Sequence, residues 1–449
     1  MNRALVAVGL VAGLAAGTAG VAWLGGDEEP RGGVLARPDV APDRLQNGAT
    51  SLVDLAAGAA LSVKARGAGT VGVTVTPAGG RPVPLGGGVR AGADGRAAVK
   101  VPAATARALA GCRPVRLTVE LTGSDGRVSA RRSRTLAPQP PACGRFFRDD
   151  AVWNERVERA ALDPLSATLV KDLNAQVEAN FAANFPPTIN TFNYSVPVYT
   201  VPASQPRVPV HLVGERLQWG QVIAAELAEG VPIPPGARAA WGDDHHMVIW
   251  QPATDTMWEM WIADDANGRW EAQWGGRMEH VSRSPGYFSG PSDINAGATA
   301  TSLALVGGLI TRADLARGEI NHALAMAIPS SRAGVWAYPA QRSDGGRDDA
   351  TAIPAGARFR LDPRIDVEAL EVPPFTRMLA RAAQRYGIYV RDTSPAVIFY
   401  AEDPASIGSN PWVDAIQPSA PEVLRAFPWK DLQVTRMDLR TGSGERLQR

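Results

Sequence analysis

Six of the chain's twelve tryptophans and three of its five histidines fall between residues 241 and 280, in WGDDHHMVIWQPATDTMWEMWIADDANGRWEAQWGGRMEH. Asp243 and Asp244 sit directly against His245 and His246. Tryptophan carries a large flat apolar face, so this density means either an aromatic core or stacking platforms for a ring-shaped ligand such as a sugar. Trp250, Trp258, Trp261, Trp270 and Trp274 are the candidate substrate-binding residues.

Glu259 lies between tryptophans in Trp258-Glu-Met-Trp261. Desolvation there would raise its proton affinity toward what a general acid needs near neutral pH. Glycoside cleavage needs a second carboxylate roughly 5 to 10 Å away, and Asp243, Asp244, Glu279 and Glu319 are candidates. His246 and His322 could shuttle protons, so the candidate catalytic set is Asp244, His246, Glu259 and His322. Each also has a plain reading. A strand carboxylate pairs with one of many arginines, and a lone strand histidine is usually satisfied structurally.

Those side chains need elements to position them. In an alternating strand over His245–Gln251, His246, Val248 and Trp250 share one face. In the next strand Met257, Glu259 and Trp261 share a face. The short connection Gln251–Thr256 predicts a hairpin. One face would then combine His246, Trp250, Glu259 and Trp261. Tryptophans on both faces mean that one set must be core.

No H-E-x-x-H and no clustered cysteines occur, so no metal site is assigned. No cofactor is implied; an oxygen-ligated structural calcium is the ion that acidic pairs could hold. The chain has no G-x-S-x-G elbow and no G-x-x-x-x-G-K-[ST] phosphate loop, which disfavours serine hydrolases of that type and P-loop enzymes. It also lacks the E-x-D-x-x-E strand of common jelly-roll β-glucanases.

The wider pattern is mainly β. Residues 51–145 alternate in short runs at 61–65, 71–75, 97–101, 115–119 and 128–132 between turn signals, which predicts a small immunoglobulin-like β-sandwich. A proline joint at 138–142 leads into 146–449, a large β-rich domain carrying the candidate site. There a helix is expected over Ala151–Phe185 and a proline-punctuated edge strand over Tyr194–Pro202. Strands are expected at Val248–Gln251, Met257–Ile262, Trp270–Trp274, His322–Ile328, Gly334–Tyr338, Arg358–Leu361, Tyr389–Val390 and Val397–Ala401. Short helices are expected at Gln221–Glu229, Thr311–Arg317 and Pro374–Tyr386. Many strands and few helices point to a large jelly-roll-like β-sandwich.

At the N-terminus, Arg3 precedes an unbroken apolar run, Ala4–Leu24, so residues 1–24 read as a signal peptide or an N-terminal membrane anchor. Residues 25–50, rich in Gly, Pro and charge, read as a flexible linker. In an exported protein Cys112 and Cys143 suggest one structural disulfide, which would stabilise by roughly 3 to 4 kcal/mol. Net charge is +1, so nothing argues for nucleic acid, and membrane contact is expected only through the N-terminal segment. Only four lysines stand among 46 basic residues, a bias of GC-rich genomes.

Four segments, DDHHMVIWQPATDTMWEMW, GATATSLALVGGLI, RGEINHALAMAIP and RMLARAAQRYGIYVRD, occur in order. Together they resemble a set found in uncharacterised exported proteins, mostly actinobacterial. The resemblance spans about 190–435. It implies one shared domain and an extracytoplasmic location, and brings no activity.

The leading expectation is an exported protein that binds a polysaccharide or cell-envelope glycan, or binds and cleaves it as a hydrolase or lyase. The first alternative is a non-catalytic envelope protein, structural or protein-binding, whose aromatics are core. The second is a metal-dependent hydrolase, which needs Asp244, His245 and His246 to converge with His322 or His280.

Overall fold

Alternation of Val71, Val73 and Val75 with Gly72, Thr74 and Thr76 buries one side of the strand Thr70–Pro77 and leaves the other half-exposed. Leu117, Val119 and Leu121 do the same in Val115–Thr122. These two pair antiparallel at the centre of a four-stranded sheet, flanked by Val83–Arg90 and Val128–Leu136. A second sheet is built on Ala60–Arg66, which pairs antiparallel with Asp39–Pro42 and Arg96–Val99 and parallel with Thr18–Ala19. The strand Val83–Arg90, with three consecutive glycines, has no alternating signal in the sequence.

The computed structural model describes residues 18–19, 39–42, 60–66, 69–77, 81–90, 96–99, 115–136, 145–266, 268–288, 296–406 and 410–442. The expected Cys112–Cys143 disulfide lies outside them, as does all of the run Ala4–Leu24 except Thr18 and Ala19. Asp39–Pro42 falls inside the segment expected to be a flexible linker and is a strand. Among the described residues no helix is long and apolar enough to cross a membrane. The chain divides into two compact units, one holding the sheets above and the other Pro138–Arg449.

The large unit is organised by the strand Leu324–Ile328, buried along its whole length. Its even positions, Leu324, Met326 and Ile328, enter one core, and its small residues Ala325 and Ala327 enter another. A strand covered on both faces reads as a continuous apolar run, as LAMAI does. The sheet around it runs Leu432–Val434, Arg358–Leu361, Ile388–Thr393, Leu324–Ile328, Ile398–Tyr400, Thr188–Asn190. The core on the large-residue face takes in the helices Ser166–Ala182, Pro374–Arg385 and Ala420–Arg425. On the other face lies a second sheet, Val198–Thr200, Met247–Gln251, Thr256–Trp261, Trp274–Glu279.

The protein is mainly β. The strand pairing of the large unit nevertheless differs from a jelly roll's. Four of its pairs run parallel: Val198–Thr200 with Met247–Gln251, Val210–Leu212 with Arg269–Ala272, Leu324–Ile328 with Ile388–Thr393, and Ile398–Tyr400 with Thr188–Asn190.

Most expected elements have bounds shifted by a residue or more, and two of them change further. The helix begins at Ser166 and not at Ala151, because Pro164 would break a helical interior, and Asp163 takes the Leu165 amide at 2.9 Å as the chain turns in. The run Trp270–Trp274 splits at Gln273. Arg269–Ala272 pairs with Val210–Leu212, and Trp274–Glu279 joins the hairpin.

Candidate functional site

The two strands pair as the expected hairpin, with Val248 facing Glu259, Ile249 facing Trp258 and Trp250 facing Met257. His246, Trp250, Glu259 and Trp261 therefore share a face. That face is covered by the segment 296–309, which has little regular structure of its own. The neighbouring strand makes room with Gly275 and Gly276. A Cβ on Gly275 would lie 2.4 Å from the Glu259 carbonyl oxygen, and one on Gly276 would lie 2.9 Å from the Gly297 nitrogen. Gly276 lets the segment lie directly on the sheet, and Gly275 lets its own strand sit close against Glu259.

An irregular buried segment must satisfy its backbone polar groups somehow, and here ionic side chains do it. Glu259, fully buried, accepts the Ala298 amide on Oε1 at 2.7 Å and the Leu305 amide on Oε2 at 2.8 Å. Asp392 Oδ1 accepts the Ala300 amide at 2.7 Å. Arg342 Nη2 donates to the carbonyls of Gly297 and Thr299 at 2.9 and 2.7 Å. Arg391, also fully buried, donates from Nη1 to Leu305 O at 2.8 Å and from Nε to Asp392 Oδ2 at 3.2 Å, with its guanidinium 4.0 Å from the Tyr400 ring centroid.

Arg391 reaches this position through a β-bulge. Met326 pairs with Val390 and Ala327 with Asp392, so Arg391 is the extra residue. A bulge re-aims the side chain it carries.

At the rim, Trp261 is half-buried and donates from Nε1 to Asp244 Oδ1 at 3.0 Å. The exposed Arg216 lies 4.6 Å from the Trp261 ring centroid. His246 is buried behind Asp244, with Nδ1 lacking a hydrogen-bond partner among the described residues. Arg391 Nη2 shares that condition.

Burial controls the proton affinities. It pushes Glu259 up to about 7, against the pull of two amides and of Arg391 and Arg342. It pushes Asp392 up to about 6, with Arg391 opposing and Asp344 and Asp244 adding to the rise. It pushes His246 down to about 4, so its ring is neutral at pH 7.

These shifts tie stability to pH. Glu259 holds a proton in the folded chain that the unfolded chain has lost between pH 4.5 and 7. Its stabilising contribution is complete below pH 4.5 and is lost as pH rises through 7. His246 works in the opposite sense, contributing above pH 6.5 and losing that contribution as pH falls through about 4. Glu259→Gln removes one side of this balance. The stability gap between parent and variant should widen by up to about 3 kcal/mol on acidification from pH 8 to pH 5, measured by urea denaturation. An unchanged gap would mean that Glu259 stays ionised throughout.

Asp244, His246 and Glu259 thus come together, and His322 does not join them. Its Nε2 lies 3.3 Å from Asp314 Oδ2 and its Nδ1 2.8 Å from the Ala323 carbonyl, inside the turn capped by Thr311 and Asp314. That is a satisfied structural histidine. Of the other carboxylates considered, Glu279 bridges to Arg277, Glu319 to Arg385, and Asp243 accepts from Tyr194.

The tryptophans need correction. Trp250, Trp258 and Trp274 are 1%, 0% and 5% exposed and belong to the core, which leaves no ring face for a ligand. Trp270 and Trp261 pack against that core half-buried. Among the described residues no group of three or more His, Cys, Asp or Glu side chains could hold a metal ion. The metal-hydrolase alternative loses His322, one of the histidines it could have used.

The sequence reading missed Arg391, Asp392, Arg342 and Arg216. Arg391 and Asp392 end the segment QRYGIYVRD, and the glycine pair at 275–276 was the available signal of a segment pressed against the sheet. A cleft of about 360 Å³ lies elsewhere, lined by Glu226, Arg277, His280 and Tyr287, and shares only Phe288 with the wall beside Glu259. Compared with known proteins, the chain matches no family model, no curated protein and no solved structure.

Proposed function

We propose that the large unit binds a polysaccharide or cell-envelope glycan at the rim formed by Trp261, Arg216 and Asp244 and cleaves it by acid–base chemistry. The observation that carries this reading is the pair Asp244 and Asp392. Both carboxylates are half-buried, and the charge of Asp244 adds to the rise in the proton affinity of Asp392. Cleavage of a glycosidic bond uses one carboxylic acid and one carboxylate, with proton affinities set apart by their surroundings. Asp392, raised to about 6, is the proton donor to the leaving oxygen. Asp244, oriented by the Trp261 indole, is the second carboxylate, acting on the opposite side as base or nucleophile. Glu259 is then the clamp that fixes the covering segment, and His246 and Arg391 lie buried behind the rim, each with one polar atom that has no partner among the described residues. The expected apolar N-terminal run supports placing this activity outside the cytoplasm.

Asp392→Asn tests the assignment. It should lower turnover of a cleaved glycan by about a hundred-fold or more, the usual scale of a lost general acid. Parent activity should fall as pH rises through about 6, when Asp392 loses its proton. Full activity in the variant would remove Asp392 from the chemistry.

A second reading, a non-catalytic envelope binding protein, is favoured by the burial of Trp250 and by the way Glu259, Arg342 and Arg391 serve backbone groups. Glycan binding unaffected by Asp392→Asn, with no products from any substrate, would select it.

A further inference from the structure

Two segments of the large unit meet where three large aromatic side chains are left in water. Phe192, Tyr194 and Trp241 are 44%, 37% and 56% exposed. The rings of Phe192 and Trp241 stack, with centroids 6.2 Å apart and planes 22° from parallel. The Arg238 guanidinium lies 5.4 Å from one centroid and 5.9 Å from the other, and is tied to the buried Asp403 at 3.4 Å. Tyr194 folds over Gly242, where a Cβ would come within 2.8 Å of its ring, and its hydroxyl donates to Asp243 Oδ2 at 3.2 Å.

The backbone beneath is constrained to hold this arrangement. The Tyr194 amide donates to the Trp241 carbonyl at 2.6 Å, and Tyr194 takes φ 53°, a left-handed conformation that bulky residues rarely adopt. Strain of this kind persists where surrounding contacts impose it, and it clusters at ligand sites. Aromatic area left in water adds little to stability, so packing alone does not account for the cluster.

We infer that the stacked pair Phe192–Trp241 is a sugar-binding subsite, holding one pyranose ring of a glycan whose neighbouring units lie at Asp244 and Trp261. This rests on the glycan reading above. A pyranose presents a flat C–H face to an aromatic ring and hydroxyls around its edge. The pair supplies the face, and Asp243, at its edge, supplies a carboxylate to accept hydroxyls. An apolar protein surface would leave that carboxylate unmatched. The platform is also continuous with the ionisable cluster, since Trp241, Gly242, Asp243 and Asp244 are consecutive.

The test uses the full chain and titration calorimetry with a hexasaccharide and a disaccharide of each of three chemistries: β-1,4-glucose, β-1,4-N-acetylglucosamine and α-1,4-galacturonate. Trp241→Ala and Phe192→Ala should each weaken the bound hexasaccharide roughly ten-fold or more, the scale of one lost stacking contact. The disaccharide should be much less affected, and the thermal midpoint should not move. Hexasaccharide affinity equal to the parent's in both variants, with Trp261→Ala binding neither length, would overturn the subsite and leave the glycan reading standing. Absence of binding by the parent to all six probes would overturn both.

Discussion

Glu259→Ala should unfold the site before it affects any chemistry, costing about 3 to 5 kcal/mol of stability. The side chain is fully buried and is the acceptor for two amides, Ala298 and Leu305, seven residues apart on the covering segment. Truncation leaves both donors without a partner in an apolar surround, each at roughly 1 to 3 kcal/mol. It also leaves a cavity that Gly275 and Gly276, lacking side chains, cannot fill. Glu259→Gln keeps one acceptor oxygen but turns an amide group toward the other N–H, so its cost should be smaller and still measurable. Hydrogen exchange gives the local readout. The amides of Ala298 and Leu305 should lose protection in Glu259→Ala more than those of the distant helix Pro374–Arg385. Uniform loss, with no preference for the segment, would mean that Glu259 supports the whole fold and not this clamp.

That prediction reverses the role the sequence suggests for Glu259, and the reason is physical. Flanking tryptophans do signal desolvation, and the rise in proton affinity follows from it. Burial complete enough to produce that rise also removes the solvent path a general acid needs. The residue just after a strand bulge, or an arginine about 80 residues beyond the hairpin, gives no periodic signal, so Asp392 and Arg342 were not legible. The elements were more readable. Arg358–Leu361 has the expected bounds, and the hairpin with its shared face follows from alternation and the short turn. Long-range pairing was not readable: nothing local says that Leu324–Ile328 lies parallel to Ile388–Thr393. The protein therefore reads correctly as mainly β, while the sheets of the large unit are mixed.

The tryptophans show the same limit and give the second large effect. An alternating strand in a half-exposed sheet would bury Trp250 or Trp258, since they lie on opposite faces. Both are buried because this sheet is covered on both sides. Trp250 packs edge-on to Phe146, with centroids 6.1 Å apart, and Trp258 lies under the Arg207 guanidinium at 5.2 Å. The sequence hints at this, since Met247-Val-Ile-Trp250 is apolar without alternation. Trp258→Ala should therefore cost roughly 3 to 5 kcal/mol, the range for a large aromatic removed from a packed core. Trp258→Phe should recover most of that. It refills much of the volume and removes an indole N–H that has no partner among the described residues. Trp261→Ala should behave differently, with a smaller loss of stability and a larger loss of ligand, because its ring reaches the rim and its N–H orients Asp244. Urea denaturation of the three variants separates the cases. A stable Trp258→Ala beside a collapsed Trp261→Ala would place the core and the rim of this sheet on the wrong residues.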